Sequence, residues 1–454
     1  MHSSLGGPEH SQRLYTQQTQ TAERYVNPEA ISVPRGYRVE VYYRGLDSPI
    51  GLVITDGGDI IVAESGIANG NPRVVRISGG SLEVLGEGFN VPIYGINIRG
   101  RDIYVSHRGT ISILRPDGDI DNIVSGLPSY GDYGNNRVTF SPDNKMYFGQ
   151  GTVTNSAIVG LDNRWVYDHP FLHDYPGSYV LVNGVNYETE NIFIPAERTA
   201  LTGAFQPFGV PINRSVELVE STLLASGSIL RANPDGSEME LVAWGLRNPV
   251  QLKYDSFNQL YITNQGYNIR GSRPIANAPD EFQLLIPGAW YGWPDYAGGE
   301  PVNQPKFTPE GAGQPSLLLA SIPSIPPKPV AEFQMDSNIM GFSFNTNPSF
   351  GTVGEAYIAE FGSIRYGTTG ELIRSGIGHR ISRVNPLSGQ VTTFAINKSG
   401  FPAISPLEGG LGRPTDVAFG PDGAMYITDF AATTLQNLGE YLPNTGVIWR
   451  ISRG

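Results

Sequence analysis

GLGRPTDVAFGPDGAMYITDF (Gly410–Phe430), followed shortly by GVIWRISR (Gly446–Arg453), carries the pattern that decides the fold. Val417 to Phe419 is a short apolar run, and Ala424 to Asp429 is a second one. Pro421-Asp422-Gly423 lies between them; proline presets φ and glycine takes the positive φ of a tight turn. The spacing predicts an inner strand, a hairpin turn, a second strand and then an outer strand over Val447 to Ile451.

Working outward, the same order returns along the chain with decay. GLDSPIGLVITDGGDIIVAES (Gly45–Ser65) leads to RVVRIS (Arg73–Ser78), and GFNVPIYGINIRGRDIYVS (Gly88–Ser106) leads to GTISILRPDG (Gly109–Gly118). GLPSYGDYGNNRVTFSPDNKMYFGQG (Gly126–Gly151) leads, after a long insertion, to GSILRANPDG (Gly227–Gly236). GLRNPVQLKYDSFNQLYITNQG (Gly245–Gly266) comes next, and GFSFNTNPSFGTVGEAYIAEFG (Gly341–Gly362) leads to HRISRVNPLSG (His379–Gly389). Each copy is too short to bury both of its faces alone, so about six copies stacked radially predict an all-β, six-bladed β-propeller. Period-two alternation broken at every turn by Pro and Gly excludes a helical solenoid. The blades are expected over residues 36–454, after a polar N-terminal arm over 1–35. Two long insertions, about 161–226 and 267–329, are expected to cap one face.

Composition agrees. The 454 residues include 56 Gly and 35 Pro, about one residue in five, and only 16% are charged, as many tight turns demand. The net charge of −12, without a basic run, excludes a nucleic-acid footprint. The absence of Cys excludes disulfides, thiolate metal sites and a Cys nucleophile. No stretch of about 18 apolar residues spans a membrane, and the first residues carry no apolar signal core.

Polar residues that lead into the inner strands should converge on one channel mouth: Tyr133 and Asn136, Arg247 and Asn248, Arg413 and Asp416. An alternative role for the asparagines is to satisfy backbone groups between blades. An arginine fork suits a carboxylate held by two hydrogen bonds. His169 and His173 lie four apart, but Pro170 and Pro176 oppose the helix that would make them a metal pair. His107 ends a strand and is placed to line the channel, whereas His379 begins an outer strand and is expected to face solvent.

Motif order makes the reading specific. GLRNPVQLKYD (Gly245–Asp255), NQGYNIRGSRPIANAPDEF (Asn264–Phe282) and GAWYGWPDYAGGEPV (Gly288–Val302) resemble successive motifs of the glucose/sorbosone dehydrogenase family. YFGQGTVTNSAIVGLDN (Tyr147–Asn163) and GGLGRPTDVAFGPDGAMYITDF (Gly409–Phe430) match other parts, so the resemblance covers about residues 35 to 454. It implies a pyrroloquinoline-quinone-dependent dehydrogenase of a sugar or aldehyde, with a calcium ion and an extracytoplasmic or secreted location. It further implies that Arg247 and Asn248 lie near the quinone oxygens. Arg413 would face the cofactor carboxylates, and the carbonyls of Gly266 and Tyr267 would hold calcium, a hard ion suited to oxygen ligands.

The chain departs from that pattern in informative places. The family's general-base His falls in Gly131-Asp132-Tyr133-Gly134, which has none. A phenol, with a pKa of about 10, does not take a proton at neutral pH as an imidazole does. A second cofactor arginine is replaced by Thr415, and Asp336 stands where a His is frequent. Three readings remain open. The first is a quinone-dependent oxidoreductase with Tyr133, Asp132 or His107 as the base. The second is a non-catalytic binding or assembly module whose N-terminal arm straps a neighbouring subunit in a homo-oligomer. The third is a calcium-dependent lactonase-like hydrolase with Glu64, Asn136, Asn248 and Asp416 as converging ligands.

Overall fold

The computed structural model describes residues 23–194, 196–363, 365–366, 372–373, 376–433 and 440–454. Their regular structure is β-strand with three short 3₁₀ turns. Six four-stranded antiparallel units form the blades. From the channel outward, blade 1 is Pro49–Ile54, Ile60–Glu64, Arg73–Ser78 and Ser81–Glu87. Blade 2 is Ile93–Arg99, Asp102–His107, Thr110–Leu114 and Ile120–Ser125. Blade 3 is Asn135–Phe140, Met146–Gln150, Ser228–Ala232 and Glu240–Trp244. Blade 4 is Asn248–Tyr254, Leu260–Gln265, Asp280–Leu284 and Ala331–Phe333. Blade 5 is Ile339–Phe344, Ala356–Glu360, Arg380–Asn385 and Gln390–Asn397. Blade 6 combines Pro414–Phe419, Met425–Asp429 and Gly446–Arg453 with Tyr37–Leu46 from the other end of the chain.

The expected six-bladed propeller is therefore observed, and the ring closes by pairing its two ends, with Tyr37 opposite Arg453 and Leu46 opposite Gly446. Gly446–Arg453, expected as an outer strand, is third in its blade because Tyr37–Leu46 covers it. The Pro-Asp-Gly turn behaves as its chemistry dictates: Gly423 has φ 75° and Asp422 accepts the Ala424 N–H.

Alternation sends successive residues of each strand into the two neighbouring interfaces, and six apolar layers result. Tyr261 and Phe282 of blade 4 meet Phe342 and Phe344 of blade 5. Ile262 and Leu252 of blade 4 turn the other way, onto Ile229 of blade 3. Tyr357 and Phe394 of blade 5 pack on Val417 and Trp449 of blade 6, and Ile448 meets Val62 of blade 1. Each such side chain contributes about 1.5–3 kcal/mol by leaving water.

The first 22 residues of the expected arm lie outside the described residues. From residue 23 onward the segment belongs to its own propeller. Ile31–Ser32 pairs with the outer strand of blade 5, and Arg24 is buried against Asp429 of blade 6 at 2.8 Å. The second insertion, expected as one stretch over 267–329, is divided by Asp280–Leu284, the third strand of blade 4. Beyond that strand the chain runs beside the outer strand of blade 3, where Trp290 bridges Trp244 in parallel. It then joins the first insertion: Val182 bridges Leu319, and Phe205, Trp290, Trp293 and Phe307 share one apolar core.

Candidate functional site at the channel mouth

All six inner strands bulge at the same level. The residues at these bulges are Gly51, Gly95, Arg137, Gln251, Gly341 and Asp416. Arg137 fills the middle. Its Nη1 bonds Asp416 Oδ1 (2.9 Å) and Gln251 Oε1 (2.7 Å). Its Nη2 donates to the carbonyls of Ile50 and, at 3.1 Å, Thr415, and its Nε to Tyr94 O at 3.4 Å. Asp416 Oδ2 accepts Leu52 N–H, and Gln251 Oε1 accepts Phe342 N–H, so one guanidinium links all six blades. The glycines make the space: a Cβ on Gly95 or Gly341 would overlap Arg137. Asp416, expected as a metal ligand, is thus a structural anion with both oxygens engaged. Arg137 lies in the quoted NNRVTF stretch, yet one arginine on an inner strand carries no local sign that it reaches five other blades.

At the mouth end, the second strand of a blade ties down the turn that leads into its first. Glu64 accepts Asp47 N–H and pairs with Arg73. Asp429 accepts the N–H groups of Gly412 and Arg413. His107 holds the same place in blade 2. Its Nδ1 accepts Asn90 N–H at 2.9 Å, and its Nε2 lies 2.7 Å from Ser112 Oγ. Burial lowers its pKa to about 4. Both nitrogens being engaged, His107 is a clamp rather than the substitute base expected from sequence. Glu64 is a clamp by the same geometry.

Tyr133, Arg247 and Asn248 do meet. The Tyr133 ring covers the Arg247 guanidinium at 4.5 Å, and burial lowers the arginine's pKa. Arg247 Nη2 bonds Asn155 Oδ1 (2.9 Å) and Asn268 Oδ1 (2.6 Å), and its Nε reaches Asn155 O (3.3 Å). Nη1 makes no hydrogen bond among the described residues. Asn268 Nδ2 donates to Asp336 Oδ1 at 3.2 Å, which brings that carboxylate into the cluster. Asn136 donates to Asn248, and Asn248 to Gln265, each at 2.8 Å. Asp132, by contrast, is held by Arg270, Asn163 and Trp165, and Arg270 also pairs with Asp162. A carboxylate locked in that network is a positioning group and not a free base.

Gly266 N–H is fixed by Asp280 at 2.7 Å, and the Tyr267 ring is buried with its hydroxyl on Tyr296 O. The carbonyls of both residues accept no hydrogen bond among the described residues.

Across the mouth, Arg413 is 5% exposed and sandwiched between Phe361 (4.6 Å) and Tyr441 (5.7 Å). Its Nε is buried without an acceptor among the described residues, and desolvation lowers its pKa. His379, expected to face solvent, is instead 3% exposed beside it, with Nδ1 2.7 Å from Gly412 O. The reason is local: φ of 55° turns its backbone inward, and Gly362, lacking a Cβ, leaves room for the ring. Thr415 is wholly buried, bonding Pro49 O and Thr428 and so tying blade 6 to blade 1.

Of the four ligands expected for a lactonase-like site, only Asn136 and Asn248 touch. Glu64 and Asp416 are engaged elsewhere. Among the described residues no group of three or more His, Asp and Glu side chains is placed to hold a metal. His169 packs on Tyr130, and His173 on Tyr175.

The fold and its channel mouth define a six-bladed β-propeller with a polar site at one end of the channel. The chain is 24% identical, over 197 residues, to quinoprotein glucose dehydrogenase B of Acinetobacter calcoaceticus; the match spans 43% of this chain and 32% of that protein. No family model matches the chain. Among solved structures it shares its fold with the holo pyranose dehydrogenase domain of Coprinopsis cinerea, at 15% identity and a TM-score of 0.56, covering 93% of this chain and 97% of that one. The quinone-bound aldose sugar dehydrogenase of Streptomyces coelicolor aligns at 17% identity and a TM-score of 0.52, covering 93% and 100%. A calcium structure of the carbohydrate-active family AA12 protein of Trichoderma reesei aligns at 15% identity and 0.52, covering 96% and 100%. The resemblance read from the ordered motifs is borne out by these likenesses.

Proposed function

We propose that the protein binds pyrroloquinoline quinone and calcium over the channel mouth and oxidises a sugar or aldehyde. The observation that carries this reading is Arg413: a buried guanidinium between two aromatic rings, whose Nε has no acceptor among the described residues. Leaving a buried charged donor unsatisfied costs more than an ordinary lost hydrogen bond, so this position is built to receive an anion. The cofactor's carboxylates are that anion on this reading. Arg247 Nη1 likewise makes no hydrogen bond among the described residues, and by the resemblance it faces the quinone oxygens. The unengaged carbonyls of Gly266 and Tyr267 suit calcium. When bound, the quinone supplies a hydride acceptor.

The chain must then supply proton acceptance. Asp132 is held by Arg270 and His107 by its blade, while Tyr133 shields Arg247 from water. Asp336, joined to Arg247 through Asn268, is the proton acceptor on this reading. The lost imidazole favours a second reading, in which the mouth binds its ligand without turning it over.

Calorimetric titration of the calcium-loaded protein with the quinone decides the first point. Saturable binding that weakens at least about tenfold in Arg413→Ala supports the cofactor site. No binding in the native protein overturns it. Dye reduction with aldoses, lost in Asp336→Asn while cofactor affinity is kept, supports turnover; binding without any dye reduction favours the second reading.

A further inference from the structure

The other end of the channel carries a feature that the mouth does not use. The residues two beyond the bulge level lie on the same side of each inner strand, by strand alternation. They are Val53, Asn97, Thr139, Lys253, Ser343 and Ala418, one from each blade. Five of these six line a cavity of about 800 Å³. That is within the roughly 300–1,000 Å³ of small-molecule sites.

Lys253 is the single cation in this layer. Its ammonium makes no hydrogen bond or ion pair among the described residues. The one anion at the level above it, Asp416, is already paired with Arg137. Arg137 and Asp416 neutralise each other, so Lys253 has no counter-ion of its own in this layer among the described residues. The lysine's pKa is lowered overall, by burial first and by Arg137, with the attraction of Asp416 opposing that shift. At the rim, Asp255 caps its own turn by accepting Phe257 and Gln259 N–H, and Asp56 is exposed. The hydroxyl of Ser343, which lines the cavity, has no partner among the described residues. Asn97 is occupied, donating to Val138 O.

We propose that this lower mouth is a binding site for a small hydroxylated carboxylate, its anion on Lys253 and a hydroxyl on Ser343. A compact ammonium is a point-charge partner for an oxyanion, and the serine hydroxyl adds direction without adding charge. The site is distinct from the one holding Arg413 and stands without the proposed function.

The test uses the full chain, free of quinone, titrated calorimetrically with gluconate and, separately, with inorganic phosphate. Saturable gluconate binding is expected, weakened at least about tenfold in Lys253→Met and unchanged in Arg413→Ala. Ser343→Ala, a milder change, should weaken it without altering the melting temperature. Phosphate binding that is equally tight and equally dependent on Lys253 rejects the hydroxycarboxylate in favour of a bare oxyanion site. The proposal is also overturned if gluconate gives no saturable heat, or if its binding disappears in Arg413→Ala but persists in Lys253→Met.

Discussion

At the scale of single residues, the molecule turns on charges that are buried and on how each is matched. Arg137 and Asp416 are both almost fully buried and satisfy each other. Removing one partner of such a pair leaves the other charge uncompensated, which typically costs about 3–5 kcal/mol. Arg137→Ala should lower the unfolding free energy from urea titration by that amount, with a smaller loss for Asp416→Asn. His107 offers a second test. Its folded pKa of about 4 lies below the unfolded value of about 6.5, so as pH falls the unfolded chain is protonated first. Its contribution is complete above pH 6.5 and is lost as pH drops toward 4. His107→Gln keeps an acceptor for Asn90 N–H and removes the titration. Unfolding curves from pH 7 to 4 should therefore be flatter for the variant, by at most about 1.4 kcal/mol per pH unit. His107 also shows where sequence reading stops: a polar residue at the mouth end of a strand looks alike whether it serves the ligand or ties down its own turn. Arg247 and Tyr133 were legible because they lie in ordered motifs. Asn155 and Asn268 sat within quoted motifs too, but only their contact with Arg247 gives them a role.

At the scale of elements, hairpins were readable because alternation and Pro-Asp-Gly chemistry are local. The segment before Tyr37 was not. Its polar composition reads as a tail, yet Arg24 donates to Thr445 O, Gly410 O and Asp429, a partner 405 residues away. Arg24→Ala should destabilise the protein by about 3 kcal/mol, because Asp429 stays buried without its cation. Thermal unfolding of the variant beside Arg44→Ala, whose Glu23 partner is largely exposed, separates the buried pair from a surface one. The strand Asp280–Leu284 was likewise hidden inside an expected insertion. It carries Asp280 and Glu281, charged residues that an isolated reading assigns to a loop. In the fold they accept Gly266 N–H and the Asn264 amide.

At the scale of the whole molecule, blade 6 is the closure. Gly446–Arg453 pairs with Met425–Asp429 on one side and Tyr37–Leu46 on the other, and its Trp449 and Ile448 enter both neighbouring cores. Deleting residues 446–454 should remove cooperative unfolding altogether, not simply lower the midpoint. A calorimetric scan of the truncated chain that still shows one sharp transition would mean the ring does not depend on this closure.

The sequence by itself determined the all-β class, the number of blades, their order and the family likeness, since these rest on periodicity, turn chemistry and motif order along the chain. The tertiary structure alone decided which polar residues are site and which are scaffold. It placed Arg137 at the hub, Glu64 and His107 in clamps, and Arg413 Nε without an acceptor among the described residues. The physical reason is that a charge's role depends on the partners around it. In a closed ring those partners come from blades hundreds of residues apart.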